Sequence, residues 1–171
     1  MELLISILAI IISLASVLVT VLIYKKELRR AQKQATLDAY NTLQWQVFDE
    51  LNKYTYYDIR HVCNVWNQVV EERKTHKKVQ LTQEEKDERD RCFNEYRTLS
   101  GYLARIEHFA LGVNTGIYDV EIAERAGTLF LRSLYKGKLK PLIETKSKGN
   151  SNIEYYAEFR KLVESIEKIE E

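Results

Sequence analysis

The chain has 171 residues and a formal net charge of +1, a balance too even to give a general affinity for nucleic acid or other polyanions. Its two cysteines, Cys63 and Cys92, form no C-x-x-C pair, which excludes a zinc ribbon or a disulfide scaffold and makes them reduced core residues. The three histidines, His61, His76 and His108, never fall at H-x-x-x-H spacing, so a metal site is open only if distant segments assemble one.

From Leu3 to Tyr24 the sequence carries no charge and no proline, and it is long enough to cross a bilayer as one helix. Directly after it come Lys25, Lys26, Arg29, Arg30 and Lys33 against Glu27 alone, a local net of +4. Such a collar stays in the cytoplasm, which predicts an inner-membrane anchor with the N-terminus outside and residues 25–171 inside. A signal peptide fits poorly, because no basic residues precede the apolar run and the positive charge follows it. The reading is therefore a transmembrane helix over 1–24, a basic collar over 25–33 and one cytosolic helical bundle over 34–171.

Within the apolar run, Ser6, Ala9, Ser13, Ser16 and Thr20 are spaced by three and four residues and share one helix face. Small residues let helices approach closely and hydroxyls can bond across an interface, so the stripe suits a contact seam between copies of the chain. Around an axis the same hydroxyls could line a narrow polar path. Alternatively, each hydroxyl bonds back to its own helix and carries no interface.

No glycine or proline occurs before Gly101, which predicts long helices. Leu28, Ala31, Ala35, Ala39, Leu43, Val47, Leu51 and Tyr54 recur at helical spacing, with Tyr40 and Phe48 alongside, so the membrane helix is expected to run on as an amphipathic stalk. The weak helix formers at Tyr54 to Tyr57 mark a break, and Ile59, Val62, Cys63, Trp66, Val69 and Val70 carry a second helix folded back on the first. Residues 71–91 are densely charged, and Thr82 with Glu85 forms a capping box that starts the next helix. That helix turns Cys92, Tyr96, Leu99, Leu103, Ile106 and Ala110 inward and is expected to end with Gly112 in the left-handed C′ position. Gly116 then turns the chain and Asp119 caps a helix with Ile122, Ala126, Leu129, Phe130 and Leu134 facing inward, an αα-hairpin.

The block Ile106-Glu107-His108-Phe109-Ala110-Leu111-Gly112-Val113-Asn114-Thr115-Gly116-Ile117-Tyr118-Asp119 resembles the core signature of a bacterial family of unknown function. In that family one N-terminal membrane helix precedes a small helical cytosolic domain. The resemblance implies the all-α architecture read from the periodicity and supplies no catalytic residues. In layout the chain is also similar to membrane effectors of bacterial anti-phage systems.

Pro141 falls in the first turn of a short helix, and Tyr156, Phe159, Leu162, Val163, Ile166 and Ile169 form the apolar face of the last one. Between Arg132 and Lys148 six basic residues meet Glu144 alone. Lys136, Lys138, Lys140, Lys146 and Lys148, with Tyr155 and the unbonded N–H groups expected at the start of the last helix, could hold an anionic nucleotide or oligonucleotide. No glycine-rich phosphate loop accompanies them, and no cofactor is expected. No set of residues pairs a nucleophile, a base and an orienting group, so no enzymatic activity is expected. The sequence thus points to a bilayer-anchored homo-oligomer. It is either a gated, pore-forming effector that responds to a protein partner or anionic ligand, or a tethered scaffold without a pore.

Overall fold

The computed structural model describes residues 2–76, 79–148 and 156–170, with side chains described from Ser6 onward except at Thr128, Lys148, Ile169 and Glu170. The described residues are mostly helical and contain no strand. Helix α1 (Glu2–Leu43) passes through a π-turn (Gln44–Phe48) into the short α2 (Asp49–Leu51), followed by α3 (Tyr56–Lys74), α4 (Gln83–Asn114) and α5 (Val120–Ser133). A second π-turn (Leu134–Lys138) leads to α6 (Lys140–Lys148), and α7 (Ala157–Glu170) ends the fold.

The first helical run is continuous from Ser6 to Leu51, 46 residues, which at 1.5 Å per residue is about 69 Å long. Its apolar part has a mean hydropathy of 2.8 and is not buried by the bundle. Among the described residues it is the one helix long and apolar enough to cross a membrane.

The breaks and starts follow local chemistry. Helix α3 begins at a capping box in which Thr55 and Asp58 satisfy each other's backbone N–H groups, and α4 begins at a second, Thr82 with Glu85. Asp119 caps α5 through the Ile122 N–H at 3.0 Å. The α4 periodicity is confirmed: Cys92, Tyr96, Leu99, Leu103, Ile106 and Ala110 are all buried. Helix α4 is the spine of the bundle, with α3 and α7 packed along it, α6 on α3, and α5 on α1. Trp66 of α3 stacks on Tyr96 of α4 with ring centroids 4.1 Å apart.

Three sequence expectations are corrected. Helix α4 does not stop at Gly112 but continues to Asn114, and Gly116, at φ +74°, is the left-handed residue of the turn. On α5 the buried residues are Ala123, Gly127 and Leu131, while Leu129 is 75% exposed, because α5 lies chiefly on α1 instead of pairing with α4 as a hairpin; Phe130 packs partly against the core and Leu134, just past α5, is buried, both as expected. The stalk's buried face starts at Thr36 and runs through Leu43, Val47, Phe48 and Leu51, whereas Leu28, Ala31 and Ala35 are exposed. The π-turn accounts for consecutive Val47 and Phe48 both facing inward: the Asp49 N–H reaches back to the Gln44 carbonyl, and the extra residue rotates the inward face.

Candidate functional site

The block Ile106–Asp119 forms a joint that ties α1, α5 and α7 to α4. Ile106 and Ala110 lie in the core, and Phe109 beside them packs its ring 6.1 Å from Tyr40 of α1 and 5.5 Å from Tyr118. Gly112 is needed because the Tyr118 ring covers it. A Cβ there would lie 2.5 Å from the ring carbons. The Tyr118 N–H donates to the Gly112 carbonyl at 2.9 Å and closes the turn.

The turn then docks on the stalk. Gln32 Nε2 donates to the Gly116 carbonyl at 2.6 Å, and the Asp119 N–H donates to Thr36 Oγ1 at 2.7 Å. Thr36 is fully buried, and its hydroxyl donates onward to the Gln32 carbonyl at 2.8 Å. One hydroxyl therefore satisfies the turn's N–H while keeping its own hydrogen in the helix. Lys33 of the collar adds an ion pair to Glu121 in the first turn of α5 at 3.6 Å, both side chains about half exposed. Being exposed, that pair contributes little beside the buried hydroxyl.

Further along, α1 and α5 approach closely at Gly127, where a Cβ would stand 2.5 Å from the Tyr40 ring. Phe48 meets Phe130 edge-on with centroids 4.6 Å apart. At the end of the stalk Lys138 Nζ donates to the Leu51 carbonyl at 3.1 Å, placing a cation at a helix C-terminus. Stalk residues 32–51 are thus held in the middle by α5 and at both ends by the turns that flank it.

The same block also fixes the last helix. Both oxygens of Glu107 accept backbone N–H groups of α7, from Glu158 at 3.0 Å and Phe159 at 2.8 Å. Asn114 Nδ2 donates to the Glu158 carbonyl and carboxylate. These N–H groups were expected to be open to an anionic ligand. That expectation is corrected, since an internal carboxylate occupies them.

The described lysines of the predicted anion patch have different partners within the fold. Lys136 pairs with Glu167, Lys138 caps the stalk, and Lys140 faces Glu144 at 3.9 Å. Lys146 lies over the Tyr96 ring at 5.0 Å, and burial pushes its pKa down. The Lys148 side chain and Tyr155 lie outside the described residues. On the apolar helix, the Ser16 hydroxyl donates to the Ile12 carbonyl at 2.9 Å and Thr20 to the Ser16 carbonyl at 2.8 Å. Ser13 and Ala9 are exposed on the same face, as is Ser6.

Thr36, Gln32, Gly127 and Glu107 were missed as site residues. The only sequence signals were a threonine on an otherwise apolar stripe and a glycine inside a periodic helix, both readable as tolerated polar or small positions.

No curated protein and no solved structure matches the chain. A family model described as "Domain of unknown function (DUF4760)" matches residues 3–166, taking in the apolar helix and the bundle as one unit. The chain therefore belongs to the DUF4760 family.

Proposed function

We propose that this protein is a single-pass inner-membrane protein whose cytosolic bundle controls the arrangement of its membrane helices. The observation that carries this reading is the uninterrupted helix from Ser6 to Leu51, whose apolar half is free of the bundle and whose polar half is clamped by it. A rotation or tilt of the bundle is then passed along a stiff rod, where a flexible linker would absorb it. The basic collar sets the bundle on the cytoplasmic side, and the face carrying Ser6, Ala9, Ser13, Ser16 and Thr20 assembles copies of the helix. In its most specific form the assembly is a gated pore of the kind an anti-phage effector uses, responding to a protein partner or anionic ligand at the bundle.

Two experiments test this. Replacing Ser13 and Ser16 with Leu abolishes oligomers cross-linked through the membrane segment, together with any ion flux in liposomes. Inserting four glycines between Lys26 and Arg30 leaves insertion and folding intact but uncouples bundle from membrane. If both variants behave as wild type, the coupling reading is wrong.

A second reading, a tethered scaffold, is favoured by the inward bonding of Ser16 and Thr20, whose hydroxyl hydrogens are already used within their own helix. A scaffold keeps full activity when residues 1–24 are exchanged for an unrelated membrane helix, and the coupled effector does not.

A further inference from the structure

We propose that α3 and α4 hold one divalent transition-metal ion of the zinc class between His61, Glu88 and Cys92. The sequence separates these residues by 27 and 4 positions, so no linear motif announces them. The fold brings them together because Glu88 and Cys92 are one helical turn apart on α4, and α3 lays His61 against that turn. One nitrogen, one oxygen and one sulfur ligand atom lie within 4.8 Å of one another.

The two ligand distances to the Glu88 carboxylate are close to those of a tetrahedral centre. Metal–ligand bonds of about 2.0–2.3 Å at a tetrahedral angle put neighbouring ligand atoms roughly 3.5 Å apart. Cys92 Sγ lies 3.5 Å from Glu88 Oε1, and His61 Nε2 lies 2.9 Å from the same oxygen. Small rotations of His61, which is exposed, and of the Glu88 carboxyl bring all three onto one centre with solvent at the fourth position. A mixed imidazole, carboxylate and thiolate set selects a borderline-soft ion over magnesium or calcium.

The competing cation is Arg91, which holds both oxygens of Glu88 at 2.7 and 2.9 Å. Its Nη1 already bonds Glu95 at 3.1 Å, so the guanidinium has a second carboxylate to retire to when the ion binds. Asp58, on which both His61 and Arg91 act, adds further negative charge at this edge of the two helices. As the sulfur–metal bond forms, the thiol proton of Cys92 passes to solvent, and no oxidation state changes. The bound ion pins α3 to α4 at one end, while the Arg89–Glu72 pair, at 2.7 Å, joins the two helices elsewhere.

The test uses the full chain, stripped of metal in nanodiscs and titrated with cobalt(II). The expected result is one equivalent of ion, with the near-ultraviolet band of a cobalt–thiolate bond that zinc(II) then bleaches. Cys92→Ser loses the band. Cys63→Ser keeps it, because Cys63 faces Thr145 on α6. His61→Ala, at an exposed position that leaves the core untouched, weakens binding roughly tenfold or more. A wild-type chain that shows no thiolate band, a band that follows Cys63 instead of Cys92, or unchanged affinity in His61→Ala would overturn the proposal.

Discussion

Replacing Thr36 with valine isolates the bond that fastens the α4–α5 turn to the stalk. Valine keeps the shape of threonine and opens no cavity, so the change removes only the hydroxyl. That hydroxyl is fully buried and accepts the Asp119 N–H at 2.7 Å. With valine the N–H is left without a partner inside the fold, a loss of about 1–3 kcal/mol. Denaturant titration of the protein in nanodiscs reads the global part through Trp66, which is stacked on Tyr96, with the exposed Trp45 replaced by phenylalanine. Hydrogen exchange reads the local part: amides at the start of α5 exchange faster by about tenfold for each 1.4 kcal/mol lost. Thr36→Ser is the control, giving up a buried methyl worth about 0.8 kcal/mol while keeping the bond and the slow exchange. If valine lies within about 0.5 kcal/mol of wild type and exchange at Asp119 and Ile122 does not rise, the turn is not held by Thr36.

Gly127→Ala forces the Tyr40 ring away from α5 and costs about 1–3 kcal/mol by overpacking, whereas Gly101→Ala, with nothing within 4 Å of the new Cβ, is neutral or better in the same melt. Burial pushes the thiols of Cys63 and Cys92 up to about 11 from 9.0, so in the metal-free protein neither reacts with iodoacetamide at pH 8 until the chain is unfolded. Acid weakens the contacts of Glu88, within α4 to Arg91 and across to His61 of α3, in a defined window. The hydrogen bonds of Arg91 and then His61 hold the Glu88 carboxyl down to about 2 from 4.5. Its folded value lies below its unfolded value, so its stabilisation is complete above about pH 4.5 and is lost as pH falls toward 2. Unfolding followed by circular dichroism is therefore less steep in acid for Glu88→Gln than for wild type.

What the sequence made legible was whatever depends on local pattern. The caps at Thr82 and Asp119, the turn at Gly116, the inward stripe of α4 and the long first helix all follow from residue type and spacing, and the structure agrees with each. Where a second element decides the outcome, the pattern misled. Leu129 looks like a core leucine and is exposed, because the close approach of Tyr40 requires the small residues Ala123 and Gly127 on the contact face instead. Gly112 looks like a helix terminator and is helical, because its role is to make room for Tyr118. The first residues of α7 looked open to an anion, and Glu107, some fifty positions earlier, already fills that place. Thr36 was invisible for the same reason: its partner, Asp119, is 83 residues away.

Control of the apolar helix by the bundle requires that helix and stalk form one rigid rod. Spin labels at Val21 and Thr42, both exposed, bracket the collar in nanodiscs diluted with unlabelled protein. An unbroken helix places them about 32 Å apart with a narrow distribution, from 21 residues at 1.5 Å each. A broad distribution, or a mean several ångströms shorter, would mean that the chain bends at the membrane surface and that the bundle cannot drive the helix above it.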